Sequence, residues 1–129
     1  MHNVVNQKFV LISAESPRHD QDENETRSCE LASLLRRAGM AYKWVVGQYN
    51  GKEEDSFLVI TETPSDLEFM EILRKQFNQL CFLYVDSDRS ATFHWDNLTV
   101  PAGRFVLADA TATDCTYDPV TETYWVLKR

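Results

Sequence analysis

Gly47-Gln48-Tyr49-Asn50-Gly51-Lys52-Glu53-Glu54-Asp55-Ser56-Phe57 is the stretch on which the reading of the fold turns. Asn50-Gly51 is a strong hairpin dipeptide, because a tight turn needs positive φ, which glycine adopts freely and asparagine tolerates. Val45-Val46 precede the turn and Phe57-Leu58-Val59-Ile60 follow it. Two antiparallel strands are therefore expected, Tyr42 to Tyr49 and Ser56 to Thr61, joined by an acidic connection that brings Tyr49 and Glu54 together at one end. On spacing alone, such an acidic tip is most often a solvated turn.

Upstream, Phe9-Val10-Leu11-Ile12-Ser13 is a short apolar run, read as a strand buried on both faces. A polar loop from Glu15 to Glu23 follows. A helix then begins with Asp22 or Asn24 as N-cap, carries an apolar face of Leu31, Leu34, Leu35 and Ala38, and closes at Gly39. Arg27 falls in its first turn, where a cation opposes the helix dipole. It is either paired with a neighbouring acid or available to a ligand. Downstream, Thr63-Pro64-Ser65-Asp66 opens a second helix, with Thr63 as N-cap, Pro64 in the first helical position and Asp66 completing a capping box. Phe69, Met70, Leu73 and Phe77 form its buried stripe, Asn78 ends it, and Cys81 to Val85 is a further strand.

The order strand, helix, strand, strand, helix, strand predicts an α+β, ferredoxin-like βαββαβ sandwich. Additional strands are expected at Ala91 to Trp95, Arg104 to Ala108 and Tyr124 to Leu127, with Ala110 to Val120 as a Thr/Asp-rich connection. With 129 residues and no repeat, low-complexity tract or linker, the chain is expected to form one domain, residues 1–129. Extra strands on so small a sheet leave edges to cover, and subunit association is one way to cover them.

Composition narrows the function. A net charge of -7 opposes binding to phosphate backbones, which draws its affinity from lysine and arginine, so no nucleic-acid partner is expected. Cys29, Cys81 and Cys115 are odd in number and form no CxxC pair, and His2, His19 and His94 lack ligand spacing; neither a disulfide framework nor a metal site is expected. The N-terminus lacks the features of a signal peptide and no apolar run reaches membrane-spanning length, so a cytoplasmic protein with no membrane partner is expected. A Gly-rich phosphate loop and a nucleophile elbow are missing. What remains is a polar group gathered at one end of adjoining strands: Ser13, Glu15, Tyr49, Glu54 and Arg27. A carboxylate beside a phenol in a partly desolvated cleft orients a ligand, holds a cation or acts as a base, and the residues leave these three open.

The segments Val10-Leu11-Ile12-Ser13-Ala14, Asn24-x-Thr26-Arg27, Val46-Gly47-x-Tyr49, Glu53-Glu54-x-Ser56 and Gln79-x-Cys81-Phe82-Leu83-Tyr84, in this order, resemble the bacteriophage S-adenosylmethionine lyases, formerly called hydrolases. Further on, Ala91, Gly103-x-Phe105 and Trp125 correspond, while the connection between Tyr49 and Glu54 is shorter than in the phage enzymes. The resemblance implies cleavage of S-adenosylmethionine to methylthioadenosine and homoserine lactone, without metal or cofactor, in a PII-like homotrimer with sites between subunits. It implies that Glu54 is the essential glutamate and Tyr49 its partner, with Ser13, Ala14 and Glu15 lining the adjacent wall and Arg27 binding substrate. Depletion of the methyl donor against methylation-dependent host defence is the implied use. The residues also admit a lyase acting on a nucleotide conjugate of S-adenosylmethionine, which needs Arg27 or Arg89 for the extra phosphate. A hydrolase, a non-catalytic acidic inhibitor of a basic host protein, and a PII-like sensor of an adenine ligand remain open at this stage.

Overall fold

The computed structural model describes residues 7–49, 51–108 and 114–129, Tyr49 by its backbone alone. The elements are β1 (Phe9–Ile12), α1 (Gln21–Arg37), β2 (Tyr42–Tyr49), β3 (Lys52–Ile60), α2 (Pro64–Gln76), β4 (Phe82–Val85), β5 (Ser90–Trp95), β6 (Leu98–Ala108), β7 (Cys115–Asp118) and β8 (Thr123–Lys128). The local signals for the helices act as physical chemistry requires. Asp20 caps α1 in a box with Glu23, earlier than the expected Asp22 or Asn24, and Gly39 follows the helix at φ +71°. Thr63, Pro64 and Asp66 start α2 as the sequence predicts, and Asn78 leaves it at φ 55°. Asn24 has a different task. Its side chain accepts from the Ser16 amide and donates to the carbonyls of Ser16 and His19, which pins the loop between β1 and α1.

Among the described residues, eight antiparallel strands close into a barrel in the order β1-β3-β2-β7-β8-β6-β5-β4. The open, ferredoxin-like and PII-like sandwich expected from the element order is therefore incorrect. In that arrangement β2 and β4 are free edges. Here β2 bonds β7 through Val46↔Tyr117, Gly47↔Thr116 and Gln48↔Cys115, β4 bonds β5, and β8 joins β7 to β6. The reason is that edge N–H and C=O groups need partners, and this chain supplies its own strands for both edges. Closure also removes the uncovered edges from which subunit association was argued. β7 lies in the stretch read as a connection; its four residues, Cys115-Thr116-Tyr117-Asp118, gain strand geometry from β2 and β8 rather than from an apolar run.

Strand alternation divides the core in two. Val10, Ile12, Phe57 and Val59 pack against Leu31 and Leu35 of α1 and Met70 and Leu73 of α2. The other face carries Phe9, Val45, Leu58, Val85 and Phe105, which fill the barrel. At the Phe9 end the Arg89 guanidinium lies 5.8 Å from the Phe9 ring and 5.2 Å from the Trp125 ring, an aromatic and cationic plug. Asp118, almost fully buried, accepts from Lys43 Nζ at 2.5 Å and from the Val120 amide at 3.0 Å, tying β7 to β2 and to the turn before β8.

The β6–β8 seam depends on one glycine. Gly103 has φ +102°, and a Cβ there stands 2.5 Å from the Lys128 carbonyl oxygen. Backbone meets backbone at that point, so no side chain can swing aside. Gly103→Ala is expected to lower stability by about 1–3 kcal/mol, read from urea unfolding followed by far-UV circular dichroism. An unchanged midpoint contradicts this account of the seam.

Candidate functional site

β1 ends and β4 begins at the pole away from the Phe9 plug, while β3 extends past them to Lys52. The registers Ile12↔Phe57 and Leu11↔Leu83 carry Ser13, the residues preceding Phe57, and those preceding Leu83 to the same rim. A cavity of about 280 Å³ opens there. Its walls are apolar, from Leu11, Leu83, Phe93 and Leu127, and its polar groups are Ser13, Glu54, Ser56, Gln79, Cys81 and Thr116. No lysine, arginine or histidine lines it among the described residues.

Glu54 lies inside β3, not in a connection, because the pairing of the two hairpin strands runs up to Tyr49↔Lys52. Its cross-strand partner is Gly47, which offers no side chain to fill the space before the carboxylate. Glu54 also borders a second recess of about 340 Å³ shared with Glu15, His19, Asn24, Lys52 and Glu53. The residue as a whole keeps contact with solvent. Its carboxyl nevertheless has a raised pKa: desolvation at the rim is the largest cause, a hydrogen bond from Ser13 opposes it, and the charges of Glu15 and Asp55 add to it.

The rim is braced from below. The Ser13 hydroxyl donates to the Asp55 carbonyl at 2.8 Å and accepts from the Glu15 amide at 3.0 Å. The Glu15 carboxylate accepts the Asp55 amide proton, and Trp44 Nε1 donates to Asp55 Oδ1 at 2.9 Å. Desolvation also raises the pKa of Glu15, offset in part by that amide and increased by the Asp55 charge. On the facing side the Gln79 Nε2 donates to the Glu15 carbonyl at 2.8 Å. Burial raises the pKa of Cys81 as well; Arg74 lowers it and Glu54 raises it, so this sulfur is held as a thiol.

Of the residues singled out from sequence, Ser13 and Glu54 line the cavity, and Glu15 lies behind Glu54 on the neighbouring recess. Ala14 is fully buried on the helix side of the wall. Arg27 is directed elsewhere: Nε donates to the Ala14 carbonyl at 2.6 Å, the guanidinium also donates to the Phe77 carbonyl, and it lies 5.6 Å from the Phe77 ring. The Tyr49 side chain lies outside the described residues; its backbone pairs with Lys52, two residues beyond the Gly47↔Glu54 pair. Sequence reasoning missed Ser56, Gln79, Cys81, Thr116 and Phe93 as cavity residues. Gln79 and Cys81 had a signal, since both fall in the last of the ordered segments, but the sequence reading makes Cys81 the first residue of a strand and gives Gln79 no role. Thr116 had none, because β7 itself was unseen. Among the described residues no three His, Cys, Asp or Glu side chains converge as a metal site.

The raised pKa of Glu54 has a stability consequence. Its folded-state pKa lies above its unfolded value, so its favourable contribution is full below the ordinary glutamate range and is lost as pH rises through the raised value. Glu54→Gln keeps a neutral side chain of similar shape at every pH. The variant is expected to melt higher than the parent at pH 8, with the difference shrinking toward pH 4, as read by scanning calorimetry. A variant that melts lower at pH 8 rules out net destabilisation by the charge.

A comparison with known protein families matches residues 10–128 to the S-Adenosylmethionine lyase family. A comparison with curated proteins finds no match. With nearly the whole chain covered, including both strands that close the barrel and every residue lining the cavity, the protein belongs to the S-adenosylmethionine lyase family and is an enzyme of that class.

Proposed function

We propose that the protein cleaves free S-adenosylmethionine to methylthioadenosine and homoserine lactone, by attack of the substrate's own carboxylate on its γ-carbon. A carboxylate oxygen forms the new bond to Cγ as the Cγ–sulfur bond breaks, and that electron pair neutralises the sulfonium. No proton moves, and the α-ammonium keeps its charge throughout. The observation that carries this reading is an apolar cavity with Glu54 at its rim and no described cation in its lining.

Each part of that arrangement suits the reaction. The carboxylate and the sulfonium lose their charges together, so a poorly solvated wall favours the transition state over the separated ions. A lysine in the wall would bind the nucleophilic carboxylate and weaken it. Glu54 acts best on the α-ammonium, whose charge is the same before and after the step; held against the sulfonium it would stabilise the ground state more than the transition state. Its role is then to orient, and well-oriented intramolecular reactions gain about 7–11 kcal/mol over loose encounter. Tyr49 enters on the resemblance alone, as a hydrogen-bond donor to Glu54 or to the substrate. Ser13 and Glu15 hold the rim, while Arg27 and Ala14 support it from the helix side.

Free S-adenosylmethionine is favoured over a nucleotide conjugate. Arg27 is engaged with two carbonyls and Arg89 belongs to the opposite pole, whereas the rim itself is acidic. Ligand cavities run about 300–1,000 Å³, so a cavity of about 280 Å³ takes the methionyl and sulfonium portion and leaves the nucleoside at the rim. A homotrimer with sites between subunits, as the resemblance implies, would cover that nucleoside; sedimentation of the purified protein tests it. In a phage-infected cell the reaction would deplete the methyl donor and blunt methylation-dependent defence. One observation favours a second reading: a carboxylate of raised pKa is suited to deprotonating water, which would make the enzyme a hydrolase that yields homoserine directly.

The test is incubation with S-adenosylmethionine and mass spectrometry at early times, with Glu54→Gln and Tyr49→Phe alongside. Lactone before homoserine is expected, with kcat falling about 100-fold or more in Glu54→Gln and less in Tyr49→Phe. Homoserine without prior lactone overturns the lyase step in favour of hydrolysis. The acid limb of kcat/KM is expected above the ordinary glutamate range, because activity needs ionised Glu54 and its pKa is raised.

A further inference from the structure

Arg74 is almost fully buried although it lies in the last turn of α2, where a cation is ordinarily favourable and solvated. Burying a guanidinium is costly unless it is well hydrogen-bonded, and here each of its three nitrogens finds a partner. Nε donates to Glu71 Oε1 at 2.9 Å and one terminal nitrogen donates to the same oxygen. That nitrogen also reaches Asp96 Oδ1 at 3.3 Å, in the turn between β5 and β6. The remaining nitrogen, Nη1, donates to the carbonyl of Gln79 at 2.8 Å. The Gln79 amide in turn donates to the Arg74 carbonyl at 2.9 Å. Both backbone groups of one cavity residue are thus held by one arginine.

Gln79 transmits that constraint. Its own side chain crosses to the end of β1 and donates to the Glu15 carbonyl, and the Glu15 carboxylate holds the Asp55 amide, one residue from Glu54. A continuous path of hydrogen bonds therefore runs from α2 across the cavity wall to the strand that carries the reactive-site carboxylate. A simple helix cap would satisfy a carbonyl facing solvent. This one fixes a residue that lines the cavity, and through it the loop on the opposite wall.

We propose that Arg74 is a positioning residue for S-adenosylmethionine cleavage, acting through Gln79 to set the cavity wall facing Glu54. The proposal rests on the lyase reading above. Lysine keeps the charge at the helix terminus but lacks the planar fork that serves Glu71, Asp96 and the Gln79 carbonyl at once. Misplacement of a reacting group by about 1 Å costs about 100-fold in rate. Arg74→Lys and Arg74→Met are therefore both expected to lose about 10- to 100-fold in kcat per folded molecule, with KM changed much less.

The experiment measures kcat and KM for S-adenosylmethionine in the parent, Arg74→Lys, Arg74→Met, Gln79→Leu and the double variant Arg74→Lys/Gln79→Leu, with the folded fraction of each taken from circular dichroism. If Arg74 acts through Gln79, the double variant is no worse than the poorer single one, because interacting sites are not additive. Additive losses overturn the path through Gln79. Full kcat in Arg74→Lys reduces Arg74 to a helix-terminal charge and overturns the proposal, even if Arg74→Met does not fold. An active parent with unaffected variants removes Arg74 alone, whereas an inactive parent removes the lyase reading and this proposal with it.

Discussion

Hydrogen bonding of β7 to the outer edge of β2 is the constraint from which the rest of the molecule follows. Without it β2 is an edge, β7 and β8 remain an extension of the β6 side of the sheet, and the inward faces of β2, β3 and β6 do not meet. With it the sheet returns on itself, and one end of the enclosed space is filled by Phe9, Phe105, Trp125 and Arg89 while the other stays partly open. The seam is sustained by small and polar residues. Gly103 permits the Lys128 backbone to approach, and Asp118 accepts from Lys43 where a hydrophobic contact would ordinarily serve.

The open pole combines two environments that seldom suit one another. Its wall is apolar and its rim carries Glu15, Glu53, Glu54 and Asp55, so like charges stand close together beside a poorly solvated wall, which raises the pKa of Glu54 although that residue stays in contact with solvent. For folding this is unfavourable. For a substrate that brings its own positive groups it is complementary, and for a reaction in which opposite charges annihilate it is better than a solvated site. On the proposed mechanism the protein supplies confinement and orientation, and the substrate supplies nucleophile and leaving group.

Local chemistry was readable from the sequence, and long-range pairing was not. Thr63-Pro64-Ser65-Asp66 announces α2 because capping is decided within four residues, and Asn50-Gly51 announces the β2–β3 hairpin for the same reason. The acids after that turn misled, because Glu53-Glu54-Asp55 lacks the composition of a strand and is held as one by its register with β2. Closure was invisible: the element order admits an open sheet or a barrel, and the partner that decides between them, β7, is four residues with Thr and Asp at alternate positions. In the site, Ser13 and Glu54 were found because the one directly follows a legible strand and the other lies a few residues from the Asn50-Gly51 hairpin signal in the sequence. Gln79 was passed over because its importance lies in what its amide and carbonyl reach across space. For Arg27 the sequence offers an ion pair with a neighbouring acid or a ligand contact, since nothing in its neighbourhood in sequence reveals the Ala14 and Phe77 carbonyls that engage it.

The cavity lining begins at Leu11 and ends at Leu127, almost the full span of the chain. A barrel that closes through β2 on β7 and whose cavity draws on both ends of the chain needs contacts between residues far apart in sequence, and such topologies fold slowly because loop closure precedes any reward from pairing. The cavity is therefore a late product of folding: its lining is complete only when β8, which carries Leu127, has taken its place between β7 and β6.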